Sequence, residues 1–295
     1  MRERARGFTL VELVVAITIA SIIVGFIGMF MATPIQAYFA QARRTDLADS
    51  ADALVRSLEQ DVPTALPNSL RVYANGPYKI VQWLATADSA RYWKSGETGN
   101  GARELDFSAA DNQFSTVGTF SAATLALPAG SFYLSVNNQG VVGADAYALA
   151  NVITPGGESI TLTNSGAESQ VTLNPAFQFN GTVPPGSPGN RVYVVTGPVA
   201  YLCNESAHTV TRYWNYPISA AAANPSSPAA FGATGASSSQ VASYPTACRF
   251  SKTNGSATSG GVVSVSITLT RTVTDREWDL ETRQLFHQVA VQGLP

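Results

Sequence analysis

Charge is scarce in this chain. Asp, Glu, Lys and Arg make up only 13% of it, about half the usual quarter, and the net charge is −2. No basic block runs along it, so a nucleic-acid partner gets no electrostatic support. The two histidines, His208 and His287, fall at no zinc-ligand spacing with the two cysteines, Cys203 and Cys248. The sequence lacks a Gly-x-Ser-x-Gly elbow, a phosphate loop and a His-Glu-x-x-His motif, the signatures of common hydrolases, nucleotide enzymes and zinc proteases. An enzyme is not expected, and no cofactor or metal is implied. Gly, Ser, Thr, Asn, Ala and Pro take the place of charge, which suits an extracytoplasmic β-rich domain with long turns. At 295 residues there is room for one large or two small domains.

The second feature is an apolar run. No residue from Leu13 to Ala42 is charged, a stretch longer than the ~20 residues that cross a bilayer as a helix. A secretory signal has an apolar region of only about 7–15 residues. Arg2, Arg4 and Arg6 precede the run and by the positive-inside rule hold the leader in the cytoplasm. Glu12 lies just inside the N-terminal edge of the apolar segment, where a carboxylate costs on the order of 2.5 kcal/mol or more. It must find a partner or snorkel to the headgroups. A plain anchor accounts for the length and the arginines, but not for Glu12 or the Gly7–Phe8 junction.

The basic leader, Arg6-Gly7-Phe8-Thr9-Leu10-Val11-Glu12-Leu13 and the apolar run together resemble the class III signal of type IV pilins and type II secretion pseudopilins. The resemblance implies cleavage between Gly7 and Phe8 by prepilin peptidase, followed by N-methylation of Phe8. A glycine at position 7 lets a protease approach the backbone unobstructed. It also implies that Glu12 serves assembly by pairing with the new Phe8 ammonium, its own or a neighbour's. Expected partners are prepilin peptidase, other major and minor pilins, and an inner-membrane assembly platform. Losing Arg2, Glu3, Arg4 and Arg6 removes a net +2 and leaves the mature chain at −4. Arg43-Arg44-Thr45-Asp46-Leu47, Ala65 to Val72, Arg191 to Val199 and Phe286-His287-Gln288-Val289 are similar to the J-type minor pseudopilin group and to O-type minor pilins of mannose-sensitive haemagglutinin pili.

Beyond the membrane, Leu47, Ala51, Leu54, Leu58 and Val62 recur at three- and four-residue steps, an apolar stripe on an amphipathic helix. Pro34 should kink the helix near the bilayer surface, and Pro63 should end it. Such a helix from Phe8 to about Val62 would be roughly 80 Å long at 1.5 Å per residue. Strands are expected at Ser69 to Tyr73, Lys79 to Leu84, Glu104 to Phe107, Phe132 to Val136, Ser159 to Thr163, Arg191 to Thr196, Val199 to Leu202, Thr209 to Trp214, Val262 to Thr270 and Gln284 to Val291. The first two flank Asn75-Gly76-Pro77, a turn signal. The expected class is α+β: a long helical spine packed on an antiparallel sheet, pilin-like. Its parts are a leader at 1–7, a transmembrane helix at 8–33, a spine helix at 34–62 and a periplasmic domain at 63–295, with an inserted loop region at about 203–248. An exported domain meets an oxidising periplasm, where pairing Cys203 with Cys248 would be worth roughly 4 kcal/mol in the chain-entropy model. Two buried free thiols are the alternative.

The expected protein is a non-enzymatic minor pilin or pseudopilin of the inner membrane. It crosses once, keeps its C-terminal domain in the periplasm, and joins the tip of a pilus or pseudopilus to initiate or cap assembly. The rival is a pilin-anchored adhesin whose Trp83, Trp93 or Trp214 contacts carbohydrate or a surface, although a tryptophan of this kind more often packs in a core.

Overall fold

The computed structural model describes residues 8–97, 103–179, 189–218, 225–253, 261–271 and 281–291. It divides into two compact units, one ending at Ala48 and one starting at Asp49. The chain is α+β, as expected. Helix α1 runs Leu10–Asp61, and a 3-10 turn, Val62–Thr64, follows at Pro63. Pro34 lies within α1, which continues through it. A single missing N–H leaves the bonds on either side able to form.

In the first unit, Leu10–Met31 is apolar with a mean hydropathy of 2.7, and none of it is buried by the rest of the chain. At 1.5 Å per residue it spans about 33 Å, matched to a hydrocarbon core of about 30 Å. Its two hydroxyl side chains, Thr18 and Ser21, bond within the helix. Thr18 Oγ1 donates to the carbonyls of Val14 (3.1 Å) and Val15 (2.9 Å), and Ser21 Oγ donates to that of Ile17 (2.8 Å).

The second unit carries thirteen described strands: β1 Arg71–Asn75, β2 Tyr78–Lys94, β3 Glu104–Leu105, β4 Asp111–Val117, β5 Tyr133–Val136, β6 Ser159–Ser165, β7 Glu168–Phe177, β8 Arg191–Asn204, β9 Thr209–Trp214, β10 Ser237–Ser243, β11 Pro245–Thr253, β12 Val262–Arg271 and β13 Glu281–Ala290. Ten of them form a sheet ordered β10-β9-β8-β2-β4-β7-β6, in which β1 and β3 also pair with β2 and β5 with β8. The remaining three form the sheet β11-β12-β13. The β1–β2 hairpin turns at Gly76-Pro77 with Asn75 opposite Tyr78, where the turn signal put it. In β12 the alternation holds: Val263, Val265, Ile267 and Leu269 are buried, with serine and threonine between them.

Two expectations need correction. Arg191 to Thr196 and Val199 to Leu202 are one strand, β8, because the partner strand slips register around Thr86 and absorbs Gly197-Pro198 without ending the ladder. The segment between the cysteines is more than an inserted loop. It supplies β9, a short helix α2 (Pro228–Ala233), β10 and the start of β11. Its serine-rich β10 lacks apolar alternation because it is an edge strand pairing only with β9.

The C-terminal turns of α1 are stitched to the strands. Leu54, Leu58 and Val62 are fully buried. On neighbouring positions, Ser50 Oγ donates to the Ser243 carbonyl and accepts from the Ser243 N–H, both at 2.8 Å. Ser57 Oγ meets the Tyr201 hydroxyl at 2.5 Å, and Glu59 Oε1 lies 3.1 Å from His287 Nε2 on β13. One core gathers Tyr92, Phe114, Leu134 and Val192, and a second Leu66, Leu84, Ile153 and Val195. A third forms around Phe231, which stacks on Tyr213 at 4.2 Å.

Candidate functional site

Thr9 immediately precedes α1, and its carbonyl accepts the first helical bond from Leu13 N–H at 3.1 Å. That makes Thr9 the N-cap and places Glu12 at the third helical position. The two side chains then bond reciprocally. Glu12 N–H donates to Thr9 Oγ1 (3.3 Å), while Thr9 N–H (3.3 Å) and Thr9 Oγ1 (3.2 Å) donate to Glu12 Oε2. This capping box satisfies two backbone donors that a helix start otherwise leaves open. It also gives an acid at the edge of an apolar helix a partner in its own chain. Thr-x-x-Glu before an apolar run is a readable signature. The pairing expected from the sequence names only Phe8; the partner within the chain is Thr9. Among the described residues Glu12 Oε1 accepts no hydrogen bond, so half of the carboxylate remains open to an outside donor.

Phe8 is 77% exposed. Gly7 and the rest of the leader lie outside the described residues. Further along the helix, a Cβ built on Gly25 or Gly28 would meet no described residue within 4 Å beyond its chain neighbours and the helix's own nearby backbone. These positions leave room for close approach by another helix.

Residues 2–28 match the prokaryotic N-terminal methylation motif. That motif marks substrates of prepilin peptidase and supports a type IV pilin-like family. It implies processing by that peptidase and assembly with other pilins, and it suggests a structural, non-enzymatic protein. Together with the single apolar N-terminal helix it fits a membrane-anchored, single-pass protein. No curated protein and no solved structure matches the chain significantly.

In the second unit, Cys203 on β8 and Cys248 on β11 form a disulfide with Cα atoms 6.4 Å apart, joining the two sheets. Glu205 accepts from Cys248 N–H at 2.9 Å and faces Lys79 at 3.8 Å. Local contacts account for the histidines. His208 Nδ1 lies 2.9 Å from the Pro245 carbonyl, and His287 faces Glu59. No group of three or more His, Cys, Asp or Glu that could hold a metal occurs among the described residues.

The tryptophans separate. Trp83 is fully buried and stacks on Tyr201 at 5.7 Å, which removes it from any outside contact. Trp93 is half-buried near the end of β2. Trp214, also half-buried, ends β9 beneath Arg212, whose Cζ sits 4.7 Å from the ring centroid. Arg212 in turn binds Asp61 through two nitrogens, Nε to Oδ2 and Nη2 to Oδ1 (3.1 Å), and Tyr201 donates to Asp61 Oδ2 at 2.7 Å. Asp61 and the buried environment hold opposite sway over Arg212: desolvation lowers its pKa, yet the paired carboxylate leaves the guanidinium above its usual value. Asp61, Arg212 and Trp214 line a cavity of about 480 Å³.

Proposed function

We propose that this chain is a minor pilin or pseudopilin of the J-type or O-type group, cleaved between Gly7 and Phe8 and N-methylated on Phe8. It then joins other pilins at or near the tip of a type IV pilus-like filament, where it initiates or caps assembly. Residues 1–7 are the leader, 8–33 the transmembrane helix, 34–62 the spine and 63–295 the periplasmic domain. The large domain favours a minor subunit, since abundant pilins resembling this signal are shorter.

The observation that carries this reading is Glu12 at the third position of an apolar helix, one oxygen held by Thr9 and the other without a hydrogen bond among the described residues. Moving an all-apolar helix from lipid into a bundle of helices gains little hydrophobic energy, so a polar contact has to set register. The open oxygen can accept from the ammonium of a neighbour's Phe8 while Thr9 keeps its own bonds. Such a pair contributes register more than net affinity, because desolvation offsets much of the attraction.

Intact mass of the membrane-extracted chain tests this, measured with and without active prepilin peptidase. A mature chain starting at Phe8 and one methyl heavier than its sequence is expected only when the peptidase is active. A chain still starting at Met1 beside an active peptidase overturns the reading.

A further inference from the structure

We propose that the cavity between Asp61 and Trp214 binds a neutral, hydroxyl-rich ligand, an uncharged saccharide. The proposal rests on the cavity and not on the filament reading above. Its volume of about 480 Å³ falls in the usual range for small-molecule sites, about 300–1,000 Å³. Asp61 closes it from the end of α1, Thr64 from the following 3-10 turn, Thr86 from β2, Thr196 and Gly197 from β8, and Trp214 with Asn215 from the end of β9.

The opening has a backbone cause. The β2–β8 register slips on both sides of Thr86, and Gly197 adopts φ +132, a conformation strained for residues with a side chain. Register slips of this kind locally disrupt a ladder and increase its twist.

The wall chemistry selects the ligand. Thr86 Oγ1 donates its proton to the Thr64 carbonyl (2.7 Å), and Thr196 Oγ1 donates to the Ala85 carbonyl (3.2 Å). Each hydroxyl has thereby used its one donor and offers only lone pairs. A ligand must bring O–H or N–H groups to them. Asn215 is exposed at the rim, and its amide supplies both a donor and an acceptor. The charges cancel locally, because Arg212 grips Asp61 through two nitrogens. The +1 of Arg212 and the −1 of Asp61 offset each other at hydrogen-bonding distance, so the wall holds no net charge from this pair to favour an anion or a cation over a neutral ligand. Trp214 supplies an apolar surface for C–H groups, beside Pro198 and Val199. Tyr201 and Arg212 fix Asp61, and Arg212 lies over Trp214, so the site is ordered before anything enters it.

The test uses the processed full-length chain in phospholipid nanodiscs, avoiding glycoside detergents, on a defined array of neutral oligosaccharides and of sialylated or uronate-bearing ones. Binding to neutral oligosaccharides is expected, with at least a tenfold loss in Trp214→Ala. Thr196→Val is expected to weaken binding about three- to tenfold; Thr196 is exposed, so this variant tests the site even if Trp214→Ala fails to fold. No binding to any array member overturns the proposal, as does binding confined to acidic oligosaccharides or left unchanged by Thr196→Val. Loss of a co-purifying pilin from Trp214→Ala, with no saccharide bound by the wild type, would assign the cavity to a protein partner and likewise overturn it. Retained cleavage at Gly7 alongside any of these results separates this proposal's failure from that of the filament reading.

Discussion

Thr9 and Glu12 bond each other at the start of α1, through one backbone N–H from each residue and the Thr9 hydroxyl. Glu12 therefore has two separable properties: it caps a helix, and it carries a charge. Glu12→Gln keeps an acceptor for Thr9 and removes the charge, whereas Glu12→Val removes both. If the charge pairs with a neighbour's Phe8, both variants lose crosslinking to neighbouring pilins at equal membrane abundance, and both are still cleaved. Normal crosslinking in Glu12→Gln alone would show that capping is what assembly requires.

Removing the cap alone has a smaller and more local effect. Thr9→Ala should loosen the first turn of α1 by about 1 kcal/mol, seen as faster amide exchange near Leu10 to Leu13 with the second unit unchanged. Unaltered exchange there would mean that the box contributes nothing to the helix start.

Processing depends on Gly7. Gly7→Val places a β-branched side chain, stiff at χ1, beside the bond to be cut. The precursor is expected to stay intact in the membrane fraction, and intact-mass measurement reads it directly. Efficient cleavage of this variant would mean that the peptidase tolerates bulk at that position.

The Cys203–Cys248 disulfide spans 45 positions and joins β8 to β11. Cys203→Ser with Cys248→Ser should cost about 4 kcal/mol in the chain-entropy model. At roughly 2–4 °C per kcal/mol, the melting temperature of the second unit falls by roughly 8–16 °C. Non-reducing electrophoresis after thiol alkylation checks the bond in native material, where two freely alkylated thiols would contradict it.

High pH should destabilise the second unit through its phenols. Burial pushes Tyr147, Tyr201 and Tyr216 above their ordinary value, which is about 10 in an unfolded chain. Their stabilising contribution is complete below pH ~10. It falls as pH rises past that point, because the unfolded phenols ionise first, by up to about 1.4 kcal/mol per phenol per pH unit. Absorbance at phenolate wavelengths should show these tyrosines ionising together with loss of circular dichroism. Ionisation of every tyrosine near pH 10 with the fold intact would refute this.

The N-terminal signal, the apolar span, the stripe through Leu54, Leu58 and Val62 and the Asn75-Gly76-Pro77 hairpin were legible because each depends on neighbours within a few residues. The capping box is equally local, a Thr-x-x-Glu pattern within four residues. Other strands carry no such local signal. Residues 111–117 read Asp-Asn-Gln-Phe-Ser-Thr-Val, yet they form β4 because β2 and β7 pair with them on either side. Ser169 on β7 is fully buried, and it is tolerated there because Asn164 and the Phe120 N–H bond its hydroxyl. The β11 strand depends similarly on β12. The sequence by itself thus determined how the chain enters the membrane and where its spine lies. Only the tertiary structure decided which polar segments became strands and which tryptophan faces a cavity. Arg212 reaches Asp61 across 151 positions, and hydrogen bonds formed at that separation come from the packed sheet, not from any local pattern of residues.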